Sequence, residues 1–312
     1  MTRFFKTLML TAAMIPLAQC TNLTPVGTAM AQTAPAAAAA ELEDADPALW
    51  VVKDADTTIY LFGTVHMLKP GLSWFDEAVK DAFDKSDTLK IEVVLPEDQG
   101  EMVSRTLPFA IDQTGTTLTS LLSDTQRASY EAAMNKFGLP VAQFDIFEPW
   151  FSGLTLAAVS LTAEGYDPNQ GSEKILTAAA KTAGKPVAGL ETLEEQMGFF
   201  DTLPREAQLQ FLNSTVAQLP TASGEFADIL LAWKQGNPEE LGVRMNRAML
   251  GAKVLADTLL FKRNERWASW IKTRMGEPGT VFLAVGAGHL AGEKSVQDYL
   301  TKHGLTADRV RY

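Results

Sequence analysis

Two short motifs carry the chemistry that this sequence can be asked about. Gly63-Thr-Val-His66 closes the apolar, β-branched run TTIYLF, and Gly286-Ala-Gly-His289 closes the run TVFLAV. The chain has three histidines, so two of them share one setting: glycine, two residues, histidine, after a strand-like segment. Imidazole can hold a metal or move a proton near neutral pH. In an open α/β sheet, ligands gather outside the carboxyl ends of the strands, which is where both motifs fall. The competing reading is two unrelated loop or core histidines. His303, in a KHG helix end, reads as a cation near a helix carboxyl terminus.

Three further positions draw attention. Glu92 stands inside the apolar run LKIEVVL, and a carboxylate buried there must be paired, hydrogen-bonded or metal-bound. Strand alternation puts Leu89, Ile91 and Val93 on one face and Lys90, Glu92 and Val94 on the other. An ion pair of purely structural value, or an edge strand exposing Glu92, is the alternative. Glu191 ends the strand PVAGLE, with Gln196 about one helical turn further on in ETLEEQ; acids are also favoured there as complements to a helix dipole. Arg263 and Asn264 sit in the helical pattern LLFKRNERWASWI, where Arg263 could hold an anion, brace a carboxylate, or simply face solvent. No G-x-S-x-G, phosphate-binding G-x-x-x-x-G-K or H-E-x-x-H is present.

The elements that must position these residues follow from periodicity. WVVKDADTTIYLFGT predicts strands at Val51–Lys53 and Thr57–Phe62 around an Asp-rich turn. SWFDEAVKDAFDKS predicts a helix capped by Ser73, with Asp76 three residues on. TLKIEVVLP predicts a buried strand ended by Pro96, completing a strand–helix–strand unit of parallel strands. GSEKILTAAAKTAGKPVAGLE predicts a helix capped by Ser172 and stopped by Gly184, then a strand at Val187–Leu190. The stretch from about Gly100 to Gln170 and residues 205–275 read as mostly helical, GAKVLADTLLFKRNERWASWIKTRM as one long helix. TVFLAV is a buried strand, EKSVQDYLTKHG a helix, and ADRVRY a terminal edge strand. The expected fold is α/β (α+β): a central mixed sheet with flanking helices and a helical middle insertion, its two G-x-x-H loops facing one cleft.

Composition bounds the partners. Of 312 residues, 46% are hydrophobic and 21% charged, an ordinary globular balance with enough chain for a large core. A net charge of −11 argues against nucleic acid and against docking on anionic lipid. Cys20 is the sole cysteine, which excludes an internal disulfide and a cysteine-rich zinc site. MTRFFKTLMLTAAMIPLA has the basic start and short apolar stretch of an export signal. Two cleavage readings compete: an ordinary signal over residues 1–31 ending at AMA, or a lipoprotein signal over 1–19 with lipid on Cys20. An Ala-rich, then acidic tether over residues 32–48 follows, with the folded domain at 49–312. No other segment is long and apolar enough to span a bilayer.

Taken together and in order, YLFGTVHMLKPG, LKIEV, EPWFSGLTLA, YDPNQGSEKILTAAAKTAGKPVAGLETLEEQ, KRNERWASWI and FLAVGAGHLAGEKSV resemble the TraB/GumN family, related to the Tiki metalloproteases, along most of residues 48–312. The resemblance implies a fold similar to the erythromycin-esterase and ChaN-type haem-uptake proteins, and a metal-dependent hydrolase. On that basis His66, Glu92 and His289 are expected as metal ligands or near-ligands, for a divalent ion that could be zinc, manganese, cobalt or iron. Glu191 is expected as a further ligand or general base, and Arg263 as the group that stabilises an oxyanion. The expected reaction is hydrolysis of a peptide or related amide or ester bond by metal-activated water, in the periplasm or outside the cell. The alternative is a non-catalytic periplasmic protein that binds a metal, haem or a peptide.

Overall fold

The computed structural model describes residues 42–249 and 252–312. The expected export signal, Cys20 and most of the expected tether lie outside the described residues. Among the described residues, eight strands are β1 (Glu43–Asp44), β2 (Leu49–Lys53), β3 (Thr57–Thr64), β4 (Leu72–Ser73), β5 (Thr88–Val93), β6 (Val187–Glu191), β7 (Gly279–Gly286) and β8 (Asp308–Val310). The α-helices are α1 (Glu77–Lys85), α2 (Gln99–Ala110), α3 (Asp124–Lys136), α4 (Val141–Phe144), α5 (Pro149–Ala163), α6 (Ser172–Thr182), α7 (Leu193–Asp201), α8 (Arg205–Gln218), α9 (Ala222–Lys234), α10 (Pro238–Met249), α11 (Lys253–Ala256), α12 (Lys262–Arg274) and α13 (Val296–Lys302).

Six strands form the main sheet in the order β6-β5-β7-β3-β2-β8. The first four run parallel, and β2 is antiparallel to both β3 and β8. The sheet is therefore mixed, as the sequence suggests. β7, close to the chain's end, lies between β3 and β5. That insertion brings the two G-x-x-H motifs side by side: Gly63 is in register with Val285, and Thr64 with Gly286.

Both faces of the sheet are buried, and strand alternation divides the apolar side chains cleanly. Phe62, Leu89, Ile91, Phe282 and Ala284 pack with α1, α6 and α9 through Phe83, Leu176 and Trp233. Ile59, Leu61, Val281, Leu283 and Val285 pack on the other face with Trp267 and Ile271 of α12 and Leu300 of α13. Full burial of one such side chain stabilises by about 1.5–3 kcal/mol. The helical middle has its own cores. One joins Val93, at the tip of β5, to Trp150, Phe200 and Leu259, so this part of the insertion covers the carboxyl edge of the parallel strands.

Several local expectations need correction. Asp76, not Ser73, occupies the N-cap of α1, with the Ser73 hydroxyl hydrogen-bonded to the Asp76 carboxylate. Ser172 does not cap α6; Gly171 holds that position, and the Ser172 hydroxyl bonds across to Val65 instead. The fold begins before residue 49, because β1 pairs in parallel with β4 and Ala45 enters the core. The long helix before β7 is interrupted. Residues Asp257–Phe261 form a π turn, in which the Lys262 N–H reaches back five residues to the Asp257 carbonyl. Such insertions widen a helix and recur at functional sites.

Candidate functional site

The site is built where β3, β5, β6 and β7 end together. Register does most of the work: Ile91 opposes Ala284 on one side of β5, and Val93 opposes Glu191 on the other. Glu92 therefore emerges beside both the Gly286 backbone and Glu191. The Gly286 N–H donates to Glu92 Oε1 at 2.6 Å.

Helix α7 starts directly after Glu191. Thr192 and Glu195 form a reciprocal capping box, with bonds of 2.8 and 3.1 Å. This fixes the first turn so that Gln196 Nε2 reaches both Glu92 Oε2 and Glu191 Oε2, each at 3.2 Å. Residues 263, 264 and 267 of α12 share one helix face, and Arg263, Asn264 and Trp267 are all buried.

Arg263 is the hub, and all five of its N–H groups find acceptors. Nε donates to Glu191 at 3.0 and 3.1 Å. Nη2 donates to Glu92 Oε2 at 2.6 Å and to Glu191 Oε2 at 2.7 Å. Nη1 donates to the Leu259 carbonyl of the π turn at 3.0 Å and meets His289 Nε2 at 3.2 Å. Its guanidinium also stacks over Trp267, 4.7 Å from the ring centre.

His289 is completely buried. Asn264 Nδ2 donates to the Lys294 carbonyl at 2.7 Å, leaving Asn264 Oδ1 to accept from His289 Nδ1–H at 2.5 Å. These partners assign the tautomer: Nδ1 carries the proton, and the Nε2 lone pair faces Arg263. Burial, then the positive charges of Arg263 and His66, hold the His289 pKa well below the usual histidine range. It is a neutral imidazole. Glu191 accepts from Arg263, Arg266 (2.7 Å), Trp267 Nε1 (3.2 Å) and Gln196. Burial raises the Glu92 pKa more than Arg263 and His66 lower it.

His66 differs from the rest. The Gly171 backbone lies so close to the His66 carbonyl that a Cβ on residue 171 would sit 2.2 Å from that oxygen. Ser172 bonds to both backbone groups of Val65, at 3.0 and 3.2 Å. These contacts seat Glu173 against His66, its Oε1 2.6 Å from Nδ1, while the Thr64 hydroxyl donates to the same carboxylate. His66 Nε2 has no hydrogen-bond partner among the described residues, and the side chain keeps 12% exposure. Burial alone would lower the His66 pKa, but Glu173, reinforced by Glu92, outweighs it and the net shift is upward. Glu173 is correspondingly lowered, because His66 and Thr64 outweigh the upward push of burial.

The structure thus brings Glu92, Glu191, Arg263 and His289 into one hydrogen-bonded cluster. His66 sits beside it, near enough for its charge to act on Glu92 and His289. Glu191, expected as a ligand or base, has its carboxylate taken up by six hydrogen bonds from four residues and holds Arg263 in place. Arg263, expected to bind an oxyanion, has no N–H left for one. Sequence reasoning missed Glu173, because an acid in the first turn of a helix is ordinary dipole compensation. It also passed over Arg266 and Trp267, whose only sequence signal was their spacing from Arg263.

The expected metal fits one of its three residues. His66 offers a buried, unpartnered Nε2, with a carboxylate holding its other nitrogen, as metal-binding histidines usually have. Glu92 and His289 instead direct their donor atoms at Arg263. Among the described residues, no three His, Cys, Asp or Glu side chains form a group that could hold a metal ion.

A mixed sheet that collects two histidines and two glutamates at its carboxyl edge, under a helical cover, defines an α/β protein with a buried polar centre. The chain belongs to the TraB/PrgY/gumN family, whose model matches residues 48–309. It is 24% identical to the uncharacterized protein YbaP of Escherichia coli K12 over 254 residues, covering 81% of this chain and 92% of that protein. An uncharacterized protein of Treponema pallidum is 22% identical over 274 residues, covering 82% of this chain and 80% of its own length. No solved structure matches the chain at a significant level.

Proposed function

We propose that this chain is a hydrolase of peptide or related amide or ester bonds, working outside the cytoplasm, with His66 Nε2 as the atom that activates water. The observation that carries the reading is the His66–Glu173 pair: one nitrogen held at 2.6 Å by a carboxylate, the other buried and free of partners. A nucleophile-activating histidine oriented by an acid has this arrangement. Glu173 keeps the proton on Nδ1 and stabilises the imidazolium that forms when Nε2 takes a proton from water. Nε2 then returns that proton to the departing nitrogen or oxygen. Export rests on the basic and apolar leader of residues 1–31, with Cys20 as the lipid-bearing residue in the lipoprotein form.

The divalent ion that the family resemblance implies would be held by His66, and would supply Lewis acidity and a lowered pKa for bound water. Glu92 and His289 could join it only by releasing Arg263. Hydrolysis of a panel of peptides and aryl esters, with and without chelator and with added Mn²⁺, Co²⁺ or Zn²⁺, tests the reading. Activity lost in His66→Ala supports it. Loss on chelation with recovery on metal addition assigns His66 as a ligand; activity indifferent to chelator assigns it as the base. Hydrolysis by His66→Ala at the wild-type rate would end the proposal.

A further inference from the structure

We infer that Arg263 is the resident cation of this site, standing where a divalent ion would otherwise sit between Glu92, Glu191 and His289. The inference goes beyond the hydrolase reading and does not require it. Three observations converge. The first is coordination. Within hydrogen-bond distance, the guanidinium touches both carboxylates and the lone-pair nitrogen of His289, donor types that a metal uses but that are here spread around the guanidinium rather than gathered into a metal-holding group. The second is saturation. The remaining N–H contacts go to the Leu259 carbonyl and to Glu191, so the cation is fixed from every side. That carbonyl belongs to the π turn.

The third observation is charge balance. Glu92 and Glu191 face Arg263 and Arg266, two negative groups against two positive, and His289 is neutral. His66 and Glu173 pair with each other. A further divalent ion would leave an uncompensated double positive charge in a region almost without solvent, a cost that few ligands repay. The cluster holds an imidazole and two carboxylates in fixed relation through a covalently attached cation. It would therefore keep its geometry at any metal concentration.

Equilibrium dialysis of the full chain against Mn²⁺ or Zn²⁺, followed by metal analysis, tests the inference. The wild type should retain no ion whose binding depends on Glu92 or His289. In Arg263→Met, removal of the competing charge should raise Mn²⁺ affinity by at least about tenfold, and His289→Gln in the same background should abolish that gain. Wild-type binding of one ion per chain that disappears in Glu92→Gln or His289→Gln would overturn the inference. So would a folded Arg263→Met that binds no more tightly than wild type. Should Arg263→Met fail to fold, the wild-type dialysis with its Glu92→Gln and His289→Gln controls still decides. None of these readouts involves turnover, so the hydrolase proposal stands or falls separately.

Discussion

Replacing Glu173 by Gln isolates the ion pair that holds His66. The amide can still accept from Thr64, so what is lost is the charge-assisted bond to His66 Nδ1, 2.6 Å long and between side chains only 12% and 20% exposed. Hydrogen bonds to charged groups contribute about 1.5–3 kcal/mol, and a value near 2 kcal/mol suits this limited exposure. For a domain of this size that is a fall in melting temperature of about 4–8 °C. The pH dependence is the sharper test. His66 is raised in the folded state, so its contribution is complete below the unfolded histidine value and is lost as pH rises through the folded one. Glu173 is lowered, so its contribution is present above the unfolded carboxylate value and is lost as pH falls. The gap between wild type and Glu173→Gln should therefore be widest between about pH 4.5 and 6.5 and shrink on both sides. Thermal melts by circular dichroism from acid to mildly alkaline pH measure it without any substrate. A gap that does not vary with pH would refute the ion pair.

Other perturbations follow from the same geometry. Arg263→Met leaves buried Glu92 without its cation and Glu191 with Arg266 alone, and should destabilise by about 3–5 kcal/mol, measured by urea unfolding. Gly171→Ala places a methyl against the His66 carbonyl, and relief of that clash should cost about 2–4 kcal/mol while displacing His66 from Glu173; calorimetry and the imidazole proton resonances report both. Trp233→Phe removes the 2.7 Å bond from Nε1 to the Gly63 carbonyl, leaving a buried acceptor unmet at about 1–3 kcal/mol, again read by urea unfolding. If His66 is the base, the acid limb of its pH–rate profile should lie above the ordinary histidine value and move downward in Glu173→Gln.

Much of the framework was legible because it rests on local pattern. The runs ending at Gly63 and Gly286 are apolar enough to predict strands buried on both faces, and β3 and β7 are those strands. Glu92 within an apolar strand had to find partners, and it did. What the pattern could not reveal is partnership across distance. Arg263 and Glu92 lie 171 residues apart, and only the insertion of β7 between β3 and β5 makes them neighbours. Glu173 was read as part of a helix start, because its role depends on Gly171 fitting against His66, a close approach that no periodicity encodes. Ser172 looked like a cap and proved to be a tie to the strand end. Likewise, the acidic residues at 43–44 resembled a tether until their backbone paired with β4.

Trp267 packs its indole over His289, with ring centres 4.3 Å apart, and donates its N–H to Glu191. Imidazolium quenches indole emission far more strongly than neutral imidazole does. Of the six tryptophans this one lies against His289, so the pH-dependent part of the emission is a built-in optical gauge: dimming at unchanged helix content marks the moment the cluster opens.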